Sequence, residues 1–161
     1  MNQSLSRHDR IVNRTAVLAW MIAIFIFSTD YFSSARTTPI IAPFLSSLFS
    51  GLTEAHIETI VLFLRKLGHW SEYFFLAVLL MRALSAEFPG LSAKRLILWS
   101  VAFAVIYAVS DELHQLFVPS RTASPVDVAI DAIGAICGTL LFYRRNRRLR
   151  MDAGTGAPAR R

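Results

Sequence analysis

Three short stretches hold most of the groups able to do chemistry in an otherwise apolar chain. In RKLGHWSEYFF (65–75), Lys66, His69, Glu72 and Tyr73 are spaced by three, three and one, which puts all four on one face of a helix. In SDELHQ (110–115), Asp111 lies three before His114 and four before Gln115, again one face, with Glu112 beside them. VPSRTASPVDVAID (118–131) follows, carrying Arg121 between Pro119 and Pro125, then Asp127 and Asp131 four apart.

Several chemistries compete for these residues. Glu72 and Asp111 could act as general acid and base once burial and neighbouring charge tune them. Lys66 and Arg121 could grip a phosphate or carboxylate, a task that suits the forked donors of arginine. His69, Glu72, Asp111 and His114 also offer imidazole and carboxylate ligands for an ion such as zinc. The paired histidines of an HExxH helix are missing, so neither a metal nor any other cofactor is expected. DExH at 111–114 is similar to a nucleotide-hydrolysing motif, but no GxxxxGK[ST] loop exists to hold phosphate. The plainest reading is an ion-pair network that fixes helix packing. An isolated charge near the centre of a membrane helix costs about 2.5–3.5 kcal/mol. Glu72, Asp111 and Asp131 therefore need partners, and Arg65, Lys66 and Arg121 are the available cations.

The elements that must position these groups are membrane spans. Over 161 residues the chain is 54% hydrophobic, above the roughly 45–50% of a soluble domain. Apolar runs fall at about 15–29, 70–84, 96–110 and 126–143. Each is a little short of the roughly 20 residues that cross a hydrocarbon core. The helices must then extend into their flanks and draw Asp30, Lys66, His69, Asp111, Glu112 and Asp127 to the membrane boundary. EAHIETIVLFL (54–64) reads as an interfacial helix continuing into the second span. SSARTTPIIAPFLSSLFSG, with Pro39 and Pro43, reads as irregular or interfacial chain. The basic start and first apolar run imitate a signal peptide, but TDYFSS supplies no small-x-small cleavage site, so a retained span is expected.

Lysine and arginine bias sets the orientation. One side carries Arg7, Arg10, Arg14, Arg82, Lys94, Arg95 and seven tail arginines; the other carries Arg36, Arg65, Lys66 and Arg121. Both termini are then cytoplasmic. The net charge of +6 sits largely in that tail without interleaved aromatics, which argues for contact with anionic lipid and against nucleic acid. Cys137 is the single cysteine and excludes an intrachain disulfide. Gly134 and Gly138 form a GxxxG that lets span four approach another backbone and leaves a homo-oligomer open.

RKLGHWSEYFFLAVLL resembles the basic-K-x-x-H-x-x-E-Y signature of the VanZ-like family of integral membrane proteins. SDELHQLFVPSRTASPVDVAIDAIGAICG is similar to that family's S-D-E-x-x-Q…R…D…G segment. The resemblance covers roughly residues 15–143 with the order and spacing of both motifs intact. It implies a four-helix membrane protein and places Lys66, His69, Glu72, Tyr73, Ser110, Asp111, Glu112, Gln115, Arg121 and Asp127 on motif positions. The family takes its name from a protein associated with resistance to the glycopeptide teicoplanin. Two positions depart from the pattern: Ser120 stands where a glycine commonly precedes the arginine, and Asp131 where an asparagine is common. The second adds a negative charge.

The expectation is an all-α, polytopic protein of the bacterial inner membrane: a bundle of four transmembrane helices plus an interfacial helix before the second span. A cytoplasmic segment (1–14) precedes the membrane domain (15–143), and a basic cytoplasmic tail (144–161) follows, disordered from about 152. Its outward pocket, formed by spans two to four, would bind an amphiphilic envelope ligand through Lys66, His69, Tyr73, Glu112, Gln115, Arg121 and Asp127. Glu72 and Asp111 are the candidate catalytic pair if the protein is a membrane hydrolase or transferase instead. Membrane lipids are the other expected partners.

Overall fold

The computed structural model describes residues 6–49 and 51–155, with side-chain surroundings through Arg147. Five α-helices follow one another: α1 (Arg7–Phe27), α2 (Ser34–Leu48), α3 (Glu54–Glu87), α4 (Ala93–Gln115) and α5 (Pro125–Thr155). A single 3₁₀ turn, Asp30–Phe32, joins α1 to α2. No strand occurs among the described residues.

Local chemistry sets the helix starts. Ser6 and Asp9 form a capping box at α1, and Thr53 with His56 does the same at α3. Pro125 opens α5, where its missing N–H costs nothing and its fixed φ already suits a helix. At 34 residues, α3 is about 51 Å long, well beyond the roughly 30 Å of a hydrocarbon core.

Cross-helix contacts give the directions of the chain. Trp20 meets Glu72 and Arg14 meets Glu87, so α1 and α3 are antiparallel. Tyr107 reaches Met21 and Asp111 reaches Ser28, so α4 runs with α1. Lys66 faces Asp127, while Gly134 lies against Trp70 and Gly138 against Phe74, so α5 runs parallel to α3. The four long helices alternate in direction. The start of α1 and the far part of α5 share one end of the bundle, and the loop 116–124 lies at the other.

The packing is inverted relative to a water-soluble bundle. Tyr73, Leu76, Ala77, Ala104, Ala108 and Ala135 form a narrow apolar core, with small alanines where α4 and α5 meet α3. Asp111, Glu112, Gln115, Asp127, Asp131 and Thr139 are buried with them. Leu18, Ile22, Phe103, Ile106, Ile133 and Leu141 point outward. Water would penalise this distribution and a lipid environment rewards it. Three helical stretches are long and apolar enough to cross a membrane: Arg7–Phe27, Ala93–Gln115 and Pro125–Arg147.

The tightest contact is between α3 and α5. A Cβ added at Gly134 would come within 2.2 Å of the Trp70 carbonyl oxygen, and one at Gly138 within 2.2 Å of that of Phe74. The GxxxG is thus used inside the chain, where it seats α5 against α3. Two stretches differ from the sequence expectation. Residues 34–48, expected as irregular or interfacial chain, form α2 in spite of Pro39 and Pro43. Those prolines remove the hydrogen bonds to the Ala35 and Pro39 carbonyls, and with no α2 residue buried the freed oxygens are not sealed in a core. Residues 152–155, expected to be disordered, continue α5, while 156–161 lie outside the described residues.

Candidate functional site

The helix ends opposite the chain termini converge on a layer of polar side chains. Asp127, in the first turn of α5, is fully buried and paired with Lys66 of α3. Arg65 Nη2 lies 3.8 Å from its other oxygen, and Arg65 Nη1 donates to Ser34 Oγ at 2.9 Å, which ties α2 to α3. A carboxylate here also gains from the positive end of the α5 dipole. One turn on, Asp131 is fully buried and places Oδ1 3.3 Å from His69 Nδ1. Glu112 arrives from the end of α4 and accepts a 2.7 Å hydrogen bond from the Ser124 backbone N–H, just before α5 begins.

Behind this layer, Asp111 is anchored by donors. Ser28 Oγ donates to its Oδ2 at 2.7 Å and Gln115 Nε2 at 3.2 Å, a buried link between α1 and α4. The loop carrying Arg121 folds over the end of α1. Its guanidinium donates to the Phe27 carbonyl, left without a helical partner at the end of α1, and to the Thr29 carbonyl, which also accepts from the Phe32 N–H, as a cation at a helix C-terminus should. Burial pulls this guanidinium below its usual pKa, though arginine keeps its charge at any physiological pH. Ser120 donates to Asp30, which also pairs with Arg36 at 2.5 Å. The bonds from Ser120 and Arg36 hold the Asp30 carboxyl below the ordinary carboxylate range.

Between these parts lies a cavity of about 250 Å³ lined by Phe27, Phe32, Arg65, His69, Glu72 and Arg121. Gly68 contributes no side chain and keeps its wall open. Glu72 holds Trp20 through its backbone carbonyl at 2.8 Å, and its carboxylate has no hydrogen-bond or ion-pair partner among the described residues. A second, more apolar groove of about 490 Å³ is bounded by Val109, Leu113, Leu116 and Val128, with Glu112 at its edge.

Most of the residues singled out from sequence are brought together. Lys66, His69, Glu112, Asp127 and Asp131 form one cluster, and Glu72 and Arg121 share the cavity with His69. Tyr73 and Gln115 are fully buried beside them. Asp111 is bonded to Ser28 and Gln115 and does not line the cavity. His114 turns toward Phe25, with ring centroids 4.5 Å apart, and stands away from His69. Ser110 is exposed and bonded to the Tyr107 carbonyl. The grouping that could hold a metal is therefore not the set drawn from HxxE and DExH. It is His69, Glu112 and Asp127, one ligand atom from each lying within 4.8 Å of the others. Arg65 is the contributor that motif reasoning underweighted, although its place beside Lys66 was the available signal.

The family model described as VanZ/LLP1 matches residues 15–146, an interval that contains every residue of this layer. The chain belongs to the VanZ/LLP1 family. No curated protein and no solved structure matches it.

Proposed function

We propose that this VanZ/LLP1 protein crosses the bacterial inner membrane four times, both termini in the cytoplasm, and captures an anionic amphiphile of the cell envelope in its outward cavity. The observation that carries the reading is the cavity itself. Arg65 and Arg121 sit at a space large enough for a phosphate or carboxylate headgroup, with Phe27 and Phe32 at its rim. The aliphatic groove at Glu112 offers a place for an acyl or prenyl chain within the same helix layer. Lipid-linked wall precursors and lipoglycopeptides both combine such parts. The fourth span in this reading is the later part of α3, whose flanking charges pair within the bundle.

The test uses protein reconstituted in nanodiscs and a fluorescent polyprenyl phosphate, with the uncharged polyprenol as control. Charge-assisted hydrogen bonds contribute roughly 1.5–3 kcal/mol, so replacing both Arg65 and Arg121 by glutamine should weaken binding at least about tenfold. Equal affinity for the phosphate and the alcohol, or no loss in the double variant, would count against the proposal.

A second reading, a hydrolase or transferase acting on such lipids, draws on the unpartnered Glu72 carboxylate in the cavity beside His69. A general base needs that freedom and access. Asp111, the other acid of the pair expected from sequence, would act by holding the end of α1 in place. Under this reading Glu72→Gln abolishes turnover of a lipid pyrophosphate and leaves its binding intact.

A further inference from the structure

We infer that His69, Glu112 and Asp127 bind a single divalent cation, with zinc as the best match. The inference deepens the ligand reading by giving its site an ion, and its test reads metal and not ligand.

The three ligand atoms come from three helices and already lie within 4.8 Å of one another. All three residues are more than nine-tenths buried. Each carboxylate has one oxygen committed and one left over. Glu112 Oε2 is held by the Ser124 N–H and Asp127 Oδ1 by Lys66, while Glu112 Oε1 and Asp127 Oδ2 have no hydrogen-bond partner. Arg65 Nη2 lies 3.8 Å from the spare Asp127 oxygen, too far for a hydrogen bond. Buried oxygens of this kind are costly unless something binds them.

The histidine is set up in the same sense. Asp131, fully buried and with neither carboxylate oxygen hydrogen-bonded, lies 3.3 Å from His69 Nδ1. A carboxylate behind one imidazole nitrogen fixes the ring and raises the basicity of the other, the arrangement that supports metal-ligating histidines. Ligation through Nε2 would leave Nδ1, which has no hydrogen bond of its own, to close on Asp131.

The local composition points the same way. Four acidic side chains, Glu72, Glu112, Asp127 and Asp131, share this layer with Arg65, Lys66 and Arg121, so acids outnumber cations around the proposed site. One imidazole with two carboxylates suits zinc better than magnesium, which favours all-oxygen octahedral sites. His69 lines the polar cavity and Glu112 the apolar groove, so the ion would sit where the two spaces approach each other.

The experiment strips the full-length protein with chelator in detergent and titrates it with Zn²⁺ alone, using a competing zinc fluorophore. One equivalent per chain is expected, with Mg²⁺ unable to displace it. Glu112→Gln and His69→Asn should each weaken zinc binding at least roughly tenfold, and Asp131→Asn by roughly 10–100-fold as a positioning residue. Glu112→Gln keeps the side chain's shape and serves where the histidine variant fails to fold, with a monodisperse elution profile as the check. A variant lacking the exposed His8 and His56 should bind zinc as the parent does. Unchanged zinc binding in folded Glu112→Gln, or loss of binding with His8 and His56, would overturn the inference. Loss of polyprenyl phosphate binding with zinc binding intact would instead remove the ligand reading and leave the ion.

Discussion

Asp127 is fully buried and sits against two cations, so its neighbours determine whether the fold can keep it charged. Removing one partner of such a pair costs about 3–5 kcal/mol, because the other charge is left stranded. Lys66→Met should lower the unfolding midpoint in detergent by a margin of that size, and adding Asp127→Asn should recover much of it. A double-mutant cycle on the two substitutions measures the coupling. Asp30 gives the pH-dependent counterpart at the edge of the layer. Its carboxyl titrates below the usual 3.8 in the folded protein, so its contribution is complete above that value and lost as pH falls through the lowered one. The difference in melting temperature between the parent and Asp30→Asn should stay constant above about pH 4 and shrink below it. At this scale the sequence was informative where one helix face sufficed: Lys66, His69 and Tyr73 do point together, as do Asp111 and Gln115. It was silent where partners lie far apart in the chain. Nothing local shows that Glu112 and Asp127 meet at His69, or that His114 turns to Phe25.

Among the elements, the α3–α5 contact has the least tolerance. Gly134 has the Trp70 backbone where a methyl group would go, and backbone cannot rotate aside as a side chain would. Gly134→Leu should separate the two helices, cost upwards of about 1–3 kcal/mol as overpacking, and weaken the Lys66–Asp127 pair, whose Asp127 lies two turns earlier on α5. Loss of the monodisperse species during purification, or a large fall in its melting temperature, is the expected outcome. Gly68→Ala, on α3 with open space around it, should be mild. The spans at α1, α4 and α5 were legible because uninterrupted apolar runs mark them. α3 was less so, since Arg65, Lys66, His69 and Glu72 interrupt its hydropathy, and the partner of the two cations, Asp127, lies some sixty residues away in the chain. α2 did not stand out as a helix because Pro39 and Pro43 each remove a hydrogen bond and crowd the carbonyl four residues back, a cost lessened here because no α2 residue is buried.

For the molecule as a whole, the polar layer and the basic stretch 144–147 of α5 occupy opposite ends of one bundle. If arginine and lysine bias orients the chain, the loop bearing Arg121 faces outward. A single cysteine at exposed Thr122, in a Cys137→Ala background, should react with an impermeant maleimide added to intact spheroplasts, whereas one at Arg147 should react only after lysis. The opposite pattern would invert the topology. The guanidinium that caps α1 also orders events in time. Ribosomes deliver Phe27 long before Arg121, so its carbonyl waits for a guanidinium until the last hairpin is made. A nascent chain halted before Arg121 would own every apolar segment up to α4 and still lack a finished mouth, which makes completion of the chamber the closing act of biogenesis.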